Sequence, residues 1–293
     1  MKFSSIVLSI FLSILCMLNV QADTRVHHYD LDETYGLTEG GTIHLDSEDA
    51  DVKVIASDRK DVRVRVRFHV KKGGLHFGKG YFMTEFEVDE RNGDLYMNDV
   101  FSNSNNLVFF GYTSTEYDIE LEVPHWANLD FDGDDDDYKI EGVTGNISID
   151  AEDGDVAMRK CDSDMKIKLD DGDLYMKYCE GRAKIRMADG NLEIAKGKFD
   201  ALKVRTADGD MEIETSLSST GKYDIRTADG DIEFEVLAGG AKFEIDKADG
   251  SVSTCSEYEM TEKSHHSREY ILGDGEAEVS MVTADGDIDL KAR

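Results

Sequence analysis

An Asp-Gly turn recurs along the second half of this chain at nearly constant intervals. Successive turn glycines are 18, 18, 19, 21, 20 and 36 residues apart, and they are Gly154, Gly172, Gly190, Gly209, Gly230, Gly250 and Gly286. A period of about 20 residues is typical of repeat proteins, in which each unit buries its apolar face against its neighbours. The last interval predicts two further periods of 18 residues, with a degraded turn near residues 273–275.

Apolar residues alternate with polar ones on both sides of each turn. Around Gly190, for example, Ile185 and Met187 precede the turn, and Leu192 and Ile194 follow it. Alternation with a period of two is typical of a half-buried strand. Each repeat is therefore predicted to be a strand, a tight turn, a second strand and a looser turn.

Stacking such repeats predicts an all-β fold, a parallel β-solenoid with about 18–21 residues per coil. Corresponding inward residues of successive coils should then form one buried row, comprising Ile167, Ile185, Val204, Ile225 and Ile245. An antiparallel meander or sandwich has the same local alternation and stays open as the alternative.

The residues before the repeats are less regular. Long alternating segments such as 61–70 predict strands, whereas residues 71–83 and 101–115 are rich in Gly, Asn or Ser and predict loops. Residues 23–130 are interpreted as an irregular N-terminal β-cap, continuous in one domain with a solenoid of residues 131–293. A cap is expected because an uncovered strand edge attracts other chains.

The first 22 residues have the pattern of a secretory signal peptide. A positive start precedes an apolar run, and small residues lead up to a predicted cleavage site after Ala22. The chain is therefore expected to be exported, to the periplasm, the cell surface or the medium. An uncleaved membrane anchor is the alternative, and no later segment is apolar enough to span a bilayer.

Charge excludes some classes of partner. The chain has 33 Lys and Arg against 63 Asp and Glu, a net charge of -30. Non-specific nucleic-acid binding needs a cationic footprint, and docking on anionic lipid needs basic clusters. The expected partner is an unidentified component of the envelope, the surface or the surrounding matrix, and the sequence does not indicate an oligomeric state.

Stacked coils would place the aspartates that follow the turn glycines in one column. Like charges at that spacing repel, and a bound divalent cation would relieve the repulsion. The candidate calcium ligands are Asp155, Asp173, Asp210 and Asp231. The competing interpretation is an exposed column that is screened by salt. No cofactor is otherwise expected, since the pairs His27–His28 and His265–His266 lack the spacing of a zinc site.

Two cysteines are separated by one coil length. Cys161 and Cys179 are 18 residues apart, so coils stacked in register would bring their backbones to about one strand spacing. That distance permits a disulfide, and an exported chain meets an oxidising environment. Two stacked thiols are the alternative, and Cys255 is expected to remain free.

No catalytic residue is predicted. The nucleophile motif GxSxG is absent, and the acidic residues recur with the coil, as a surface composition does. The main alternative is a carbohydrate-active β-helix lyase or hydrolase with paired carboxylates. A repeat protein that binds divalent cations is the second alternative.

Three segments resemble the putative-adhesin family of bacterial β-strand-repeat domains of unknown function. They are residues 41–54 with 58–64, the strand–Pro–strand segment around Pro124, and residues 142–149, where the ladder of turns begins. The resemblance covers most of residues 38–293 and implies an exported, non-catalytic β-repeat domain. The chain departs from the family pattern by carrying Asp where Ser, Thr or Gly is usual, as at residues 132–137. We therefore expect an adhesin or a structural module of the envelope or surface.

Overall fold

A computed structural model describes residues 25–77, 82–102, 107–264 and 267–293. The predicted signal peptide and the His265–His266 pair lie outside these residues. Within the described part of the chain there are 23 strands and no helix, and thus no helix long and apolar enough to cross a membrane.

The N-terminal half contains the longest strands. Its elements are β1 (Arg25–Gly36), β2 (Thr42–Ser47), β3 (Asp51–Ser57), β4 (Asp61–Phe77), β5 (Phe82–Arg91), β6 (Asp94–Ser102), β7 (Leu107–Pro124), β8 (Asn128–Asp135), β9 (Asp137–Glu141), β10 (Ile147–Asp153) and β11 (Val156–Arg159). The predicted loop regions 71–83 and 101–115 are therefore largely strand, because β4 and β7 extend into them as an antiparallel pair.

The C-terminal half contains the regular repeats. Its elements are β12 (Asp162–Asp171), β13 (Leu174–Lys177), β14 (Glu180–Asp189), β15 (Leu192–Arg205), β16 (Met211–Arg226), β17 (Ile232–Ala238), β18 (Ala241–Lys247), β19 (Val252–Thr254), β20 (Tyr258–Lys263), β21 (Ser267–Leu272), β22 (Ala277–Thr283) and β23 (Ile288–Ala292).

Parallel pairing arranges these strands in two stacks that share one core. Stack A runs in the order β6, β2, β8, β10, β12, β14, the C-terminal part of β15, that of β16, β22 and β18. Stack B runs in the order β7, β3, β9, β11, β13, the N-terminal part of β15, that of β16, β17, β23 and β19. Each coil contributes one strand to each stack, which confirms the predicted parallel β-solenoid.

The core is a set of rows, one residue per coil. Ile167 lies opposite Ile185, and Ile185 lies opposite Val204, which in turn lies opposite Ile225; all four are buried. Continuous rows of this kind remove apolar surface from water at every coil boundary. The row continues through Met281 of β22 to Ile245 of β18, so the five predicted residues belong to one buried row, with Met281 inserted between Ile225 and Ile245.

The coils at both ends of the solenoid are out of chain order. At the C-terminal end, the last coil, β22–β23, lies between the coil formed by β16 and β17 and the coil β18–β19. At the N-terminal end, the first coil, β2–β3, lies between β6–β7 and β8–β9. Both terminal segments are therefore held between two neighbours, which satisfies the backbone groups on both of their edges.

Antiparallel strands cover the outermost coils. At the N-terminal end, β4 pairs with β7, β1 pairs with β4, and β5 pairs with β6. At the C-terminal end, β21 pairs with β18, and β20 pairs with β21. The 36-residue interval before Gly286 therefore contains the β20–β21 hairpin and not a degraded coil, which corrects that expectation. Residues 23–130 likewise contain coil-forming strands, β2, β3, β6 and β7, beside the antiparallel ones.

Candidate functional site

The corner between stack A and stack B is the most repetitive feature of the molecule. All seven predicted turn glycines lie there with φ between 89° and 144°. A Cβ on Gly172 would lie 2.1 Å from the carbonyl oxygen of Gly154, and the same close approach recurs up the column to Gly286 and Gly250. Glycine is needed at these corners both for its positive φ and because the backbones of successive coils touch there.

The residue after each glycine forms a hydrogen-bonded ladder. The backbone N–H of Asp173 donates to Oδ1 of Asp155 over 2.9 Å, and the N–H of Asn191 donates to Oδ1 of Asp173 over 2.7 Å. The ladder extends without a break through Asp137, Asp155, Asp173, Asn191, Asp210, Asp231, Asp287 and Ser251. A side-chain oxygen one coil below thus satisfies an amide that the tight turn leaves without a strand partner.

This ladder contains the four candidate calcium ligands. One oxygen of each carboxylate accepts an amide from the next coil, which leaves the second oxygen of each for solvent or a cation. Within the described ranges, no group of three or more His, Cys, Asp or Glu side chains has the arrangement of a metal site. Calcium binding stays a prediction, and the ladder explains the recurrence of Asp without it.

Cys161 and Cys179 lie on adjacent coils, as their spacing predicts. The backbone N–H of Glu180 donates to the carbonyl of Cys161, so the two cysteines are in register, and both are buried. Both are thiols in the structure, and so is Cys255, which is partly exposed. The hydrogen bond with the Cys161 sulfur, together with burial, raises the pKa of the Cys179 thiol, which keeps that thiol protonated. The disulfide between them stays a prediction.

The carboxylate of Asp136 is buried, a feature that composition does not reveal. Asp136 occupies the corner position where later coils have glycine, since Gly154 packs against its carbonyl. Its carboxylate accepts hydrogen bonds from the Ser47 hydroxyl at 2.7 Å, the backbone N–H of Ala50 and the Tyr138 hydroxyl at 3.1 Å. Burial raises its pKa, while these three donors oppose the rise. The repeat period could have indicated this corner position in the sequence, because Asp136 lies 18 residues before Gly154.

A second semi-buried carboxylate lies beside it. Asp99 Oδ2 accepts the Tyr117 hydroxyl at 3.1 Å and the backbone N–H of Glu48 at 3.2 Å. Burial raises the pKa of Asp99 to about 6, and the negative charges of Glu48 and Asp136 add to the rise. A carboxyl group with a pKa of about 6 is partly protonated close to neutral pH, whereas an aspartate side chain in solution is almost fully ionised there.

An open groove of about 620 Å³ lies on stack A next to Asp99. On its wall the rings of His44 and Tyr96 stack with centroids 4.4 Å apart, and His44 Nδ1 lies 3.0 Å from Oδ2 of Asp130. The Arg91 guanidinium lies 5.3 Å from the centre of the Tyr96 ring. We call this feature the N-terminal groove. Its aromatic pair and its charged rim together offer stacking and hydrogen bonding to a ligand.

Comparison with known proteins places this architecture in a family. The family model described as Toastrack DUF4097 matches residues 69–183 and again residues 177–291. No protein among the curated sequences shows detectable similarity to the chain.

Two solved structures align with nearly all of the chain. A putative adhesin from Bacteroides fragilis NCTC 9343 is 14% identical over 93% of this chain and 100% of that chain, with a TM-score of 0.46. A putative cell adhesion protein from Clostridium sporogenes ATCC 15579 is 11% identical over 92% and 100%, with a TM-score of 0.24. Likeness at this level does not indicate what the present chain binds. The two family matches together span residues 69–291, well over half of the chain, and the chain belongs to the Toastrack DUF4097 family.

Proposed function

We propose that this chain is an exported, non-enzymatic β-repeat protein that acts as an adhesive or structural interaction module of the bacterial envelope or surface. The observation that carries the proposal is the continuous register of the coils. Outward side chains such as Lys166, Lys184 and Lys203 are aligned across neighbouring strands. Solenoids use extended repetitive surfaces of this kind to bind large partners.

The signal-peptide pattern in the sequence of residues 1–22 supports export. Expression of the full chain in a bacterium, followed by N-terminal sequencing, should give a mature protein that begins at Asp23 and is recovered with the periplasm or the surface. A variant that carries Ala22→Arg should accumulate uncleaved. Recovery of the wild-type chain uncleaved in the cytoplasm would count against export.

Interaction is tested separately from export. Purified residues 23–293 should be retained by isolated envelope fractions, and the retention should survive washing with an unrelated acidic protein of similar net charge. Such a competitor controls for the charge of -30. If no envelope fraction retains the protein, the proposed interaction role is contradicted, whereas the proposal of export is not.

The N-terminal groove favours one second candidate, a carbohydrate-active enzyme. Asp99, with its pKa raised to about 6, lines this groove together with Asp130 and Asp132, and a glycosidase needs one protonated and one ionised carboxyl group. Reducing ends released from acidic and neutral polysaccharides by the wild type, and not by Asp99→Asn, would support this candidate. Equal background release from both proteins would exclude it.

A further inference from the structure

Stack A carries a compact block of cations on an otherwise acidic molecule. Lys166 lies opposite Lys184, and Lys184 lies opposite Lys203. Two residues along each strand, a second column of cations follows the first in the same register. We call these six residues the basic lattice, and they are Lys166, Lys168, Lys184, Arg186, Lys203 and Arg205.

The centre of the basic lattice has no compensating acid. Lys168 pairs with Asp150 at 2.8 Å, and Lys203 and Arg205 pair with Asp224 at 3.0 and 3.5 Å, so three of the four cations around the centre have an acidic partner. Lys184 and Arg186 are exposed and form no ion pair with any residue that the structure describes. Their neighbours across both strand edges are also cations.

Folding does not account for this arrangement. Like charges directly opposite each other on adjacent strands are destabilising, and three successive coils repeat them in two columns. The chain contains 63 acidic residues against 33 basic ones, so alternating charges at these positions were readily available. A surface that retains unfavourable cation pairs is expected to meet an anionic partner of matching spacing.

Stack B of the same molecule presents that spacing with opposite charge. Glu193 lies opposite Glu212, and Glu212 lies opposite Glu233. Glu233 forms an ion pair with Lys291, whereas Glu193 and Glu212 form none with the residues that the structure describes. Two residues before Glu212 and Glu233, the ladder residues Asp210 and Asp231 form a second column at the corner. These five carboxylates line a shallow groove of about 600 Å³, and we call them the acidic lattice.

The two lattices have the same spacing, although Asn191 occupies the position where a sixth carboxylate would complete the acidic lattice. In both, neighbouring columns are two residues apart along a strand, about 6.6 Å, and neighbouring rows are one strand spacing apart, about 4.8 Å. We propose that the basic lattice of one copy of this chain docks on the acidic lattice of a second copy. A cation would then face a carboxylate in each row. This inference goes beyond the proposed function, because it holds wherever the protein is located.

The geometry of the contact determines the kind of assembly. The lattices lie on different stacks, so each copy has one free basic lattice and one free acidic lattice after docking. Such a heterologous contact adds copies in a row unless the rotation between them closes a ring. The net charge of -30 opposes association at long range, and physiological salt reduces that repulsion because its Debye length is only about 8 Å.

Two charge-reversal variants test the proposal by sedimentation velocity of residues 23–293. Lys184→Glu with Arg186→Glu removes the basic lattice, and Glu193→Lys with Glu212→Lys removes the acidic lattice. The wild type should show a sedimentation coefficient that rises with concentration at physiological salt and falls back at about 1 M NaCl, where the Debye length is about 3 Å. Each variant alone should associate at least about tenfold more weakly.

The decisive sample is an equimolar mixture of the two variants. One variant keeps an intact acidic lattice and the other an intact basic lattice, so the mixture should associate more strongly than either variant alone. Lys139→Glu with Lys160→Glu is the matched control, because it reverses two exposed charges outside both lattices and should associate as the wild type does. Circular dichroism should show that all variants are folded.

Three results would overturn the proposal. The first is a wild type that stays monomeric at every concentration. The second is a variant mixture that associates no more strongly than either variant alone, and the third is a control variant that loses association as completely as the lattice variants. Binding of sodium polygalacturonate by a monomeric wild type, lost in Lys184→Glu/Arg186→Glu, would assign the basic lattice to an anionic polysaccharide instead.

Discussion

The backbone N–H of Asp287 donates a hydrogen bond to Oδ1 of Asp231 over 2.7 Å, although 56 residues separate the two in the chain. The bond joins the last coil to a coil that is not its neighbour in sequence. It belongs to the same ladder that joins consecutive coils such as those of Asp155 and Asp173. The same hydrogen bond, from a backbone amide to a side-chain oxygen, therefore joins coils that are consecutive in the sequence and coils that are not.

Removing the acceptor at Asp231 should destabilise the solenoid. Asp231→Ala leaves the amide of Asp287 without its partner, and we expect the free energy of unfolding to fall by about 0.5–1.5 kcal/mol. Asp231→Asn keeps an acceptor oxygen, as Asn191 does naturally in the same ladder, and should cost much less. Urea unfolding measures both; equal losses would show that charge, and not the hydrogen bond, matters at this position.

The glycine column should tolerate no side chain. In Gly172→Ala the new Cβ would meet the Gly154 carbonyl, in addition to the strain of φ at 136°, and we expect a loss of more than about 2 kcal/mol. Gly40→Ala is the control, since Gly40 has φ at 80° but open space around it. Similar losses in the two variants would mean that contact between coils is not what requires glycine.

Stability should depend on pH through Asp99. The pKa of Asp99 is about 6 in the folded state, above the value of about 3.9 for a carboxyl group in an unfolded chain. The stabilisation that comes from the protonated Asp99 is therefore fully present below pH 4 and is lost as the pH rises through 6. Asp99→Asn cannot ionise. We therefore expect the melting temperature of the variant, relative to the wild type, to rise between pH 4 and pH 7. A constant difference across that range would show that Asp99 is not the responsible group.

The cysteine pair makes a redox prediction. Cys161 and Cys179 occupy equivalent corner positions, each one residue before a strand of stack A, on adjacent coils. One coil spacing, about 4.8 Å, is within the Cα separation that disulfides tolerate. After export we expect a peptide that links the two in a non-reduced digest, identified by mass spectrometry, with Cys255 alkylated. Alkylation of all three cysteines without prior reduction would show that the pair remains as thiols.

Calcium binding by the corner aspartates can be separated from simple screening. Each of Asp155, Asp173 and Asp210 has one oxygen outside the ladder. If these oxygens bind calcium specifically, calcium chloride should raise the melting temperature more than sodium chloride of equal ionic strength. Equal effects of the two salts would leave only screening of the acidic surface.

The sequence by itself determined the coil. Alternation around Gly190 indicated two half-buried strands, and the 18-residue interval between Cys161 and Cys179 indicated how coils align; the structure has both features. These properties are local or periodic, so they can be recognised within the sequence of each repeat. The family resemblance indicated the same architecture.

Only the tertiary structure decided the order of the coils and what their alignment brings together. Strand edges pair through backbone groups that nearly every residue carries. The sequence therefore does not specify that the coil β22–β23 lies between β16–β17 and β18–β19. The burial of Asp136 and the opposing lattices around Lys184 and Glu212 depend on which strands become neighbours. The charged residues of the two lattices form a pattern only when strands that are distant in the sequence are placed side by side.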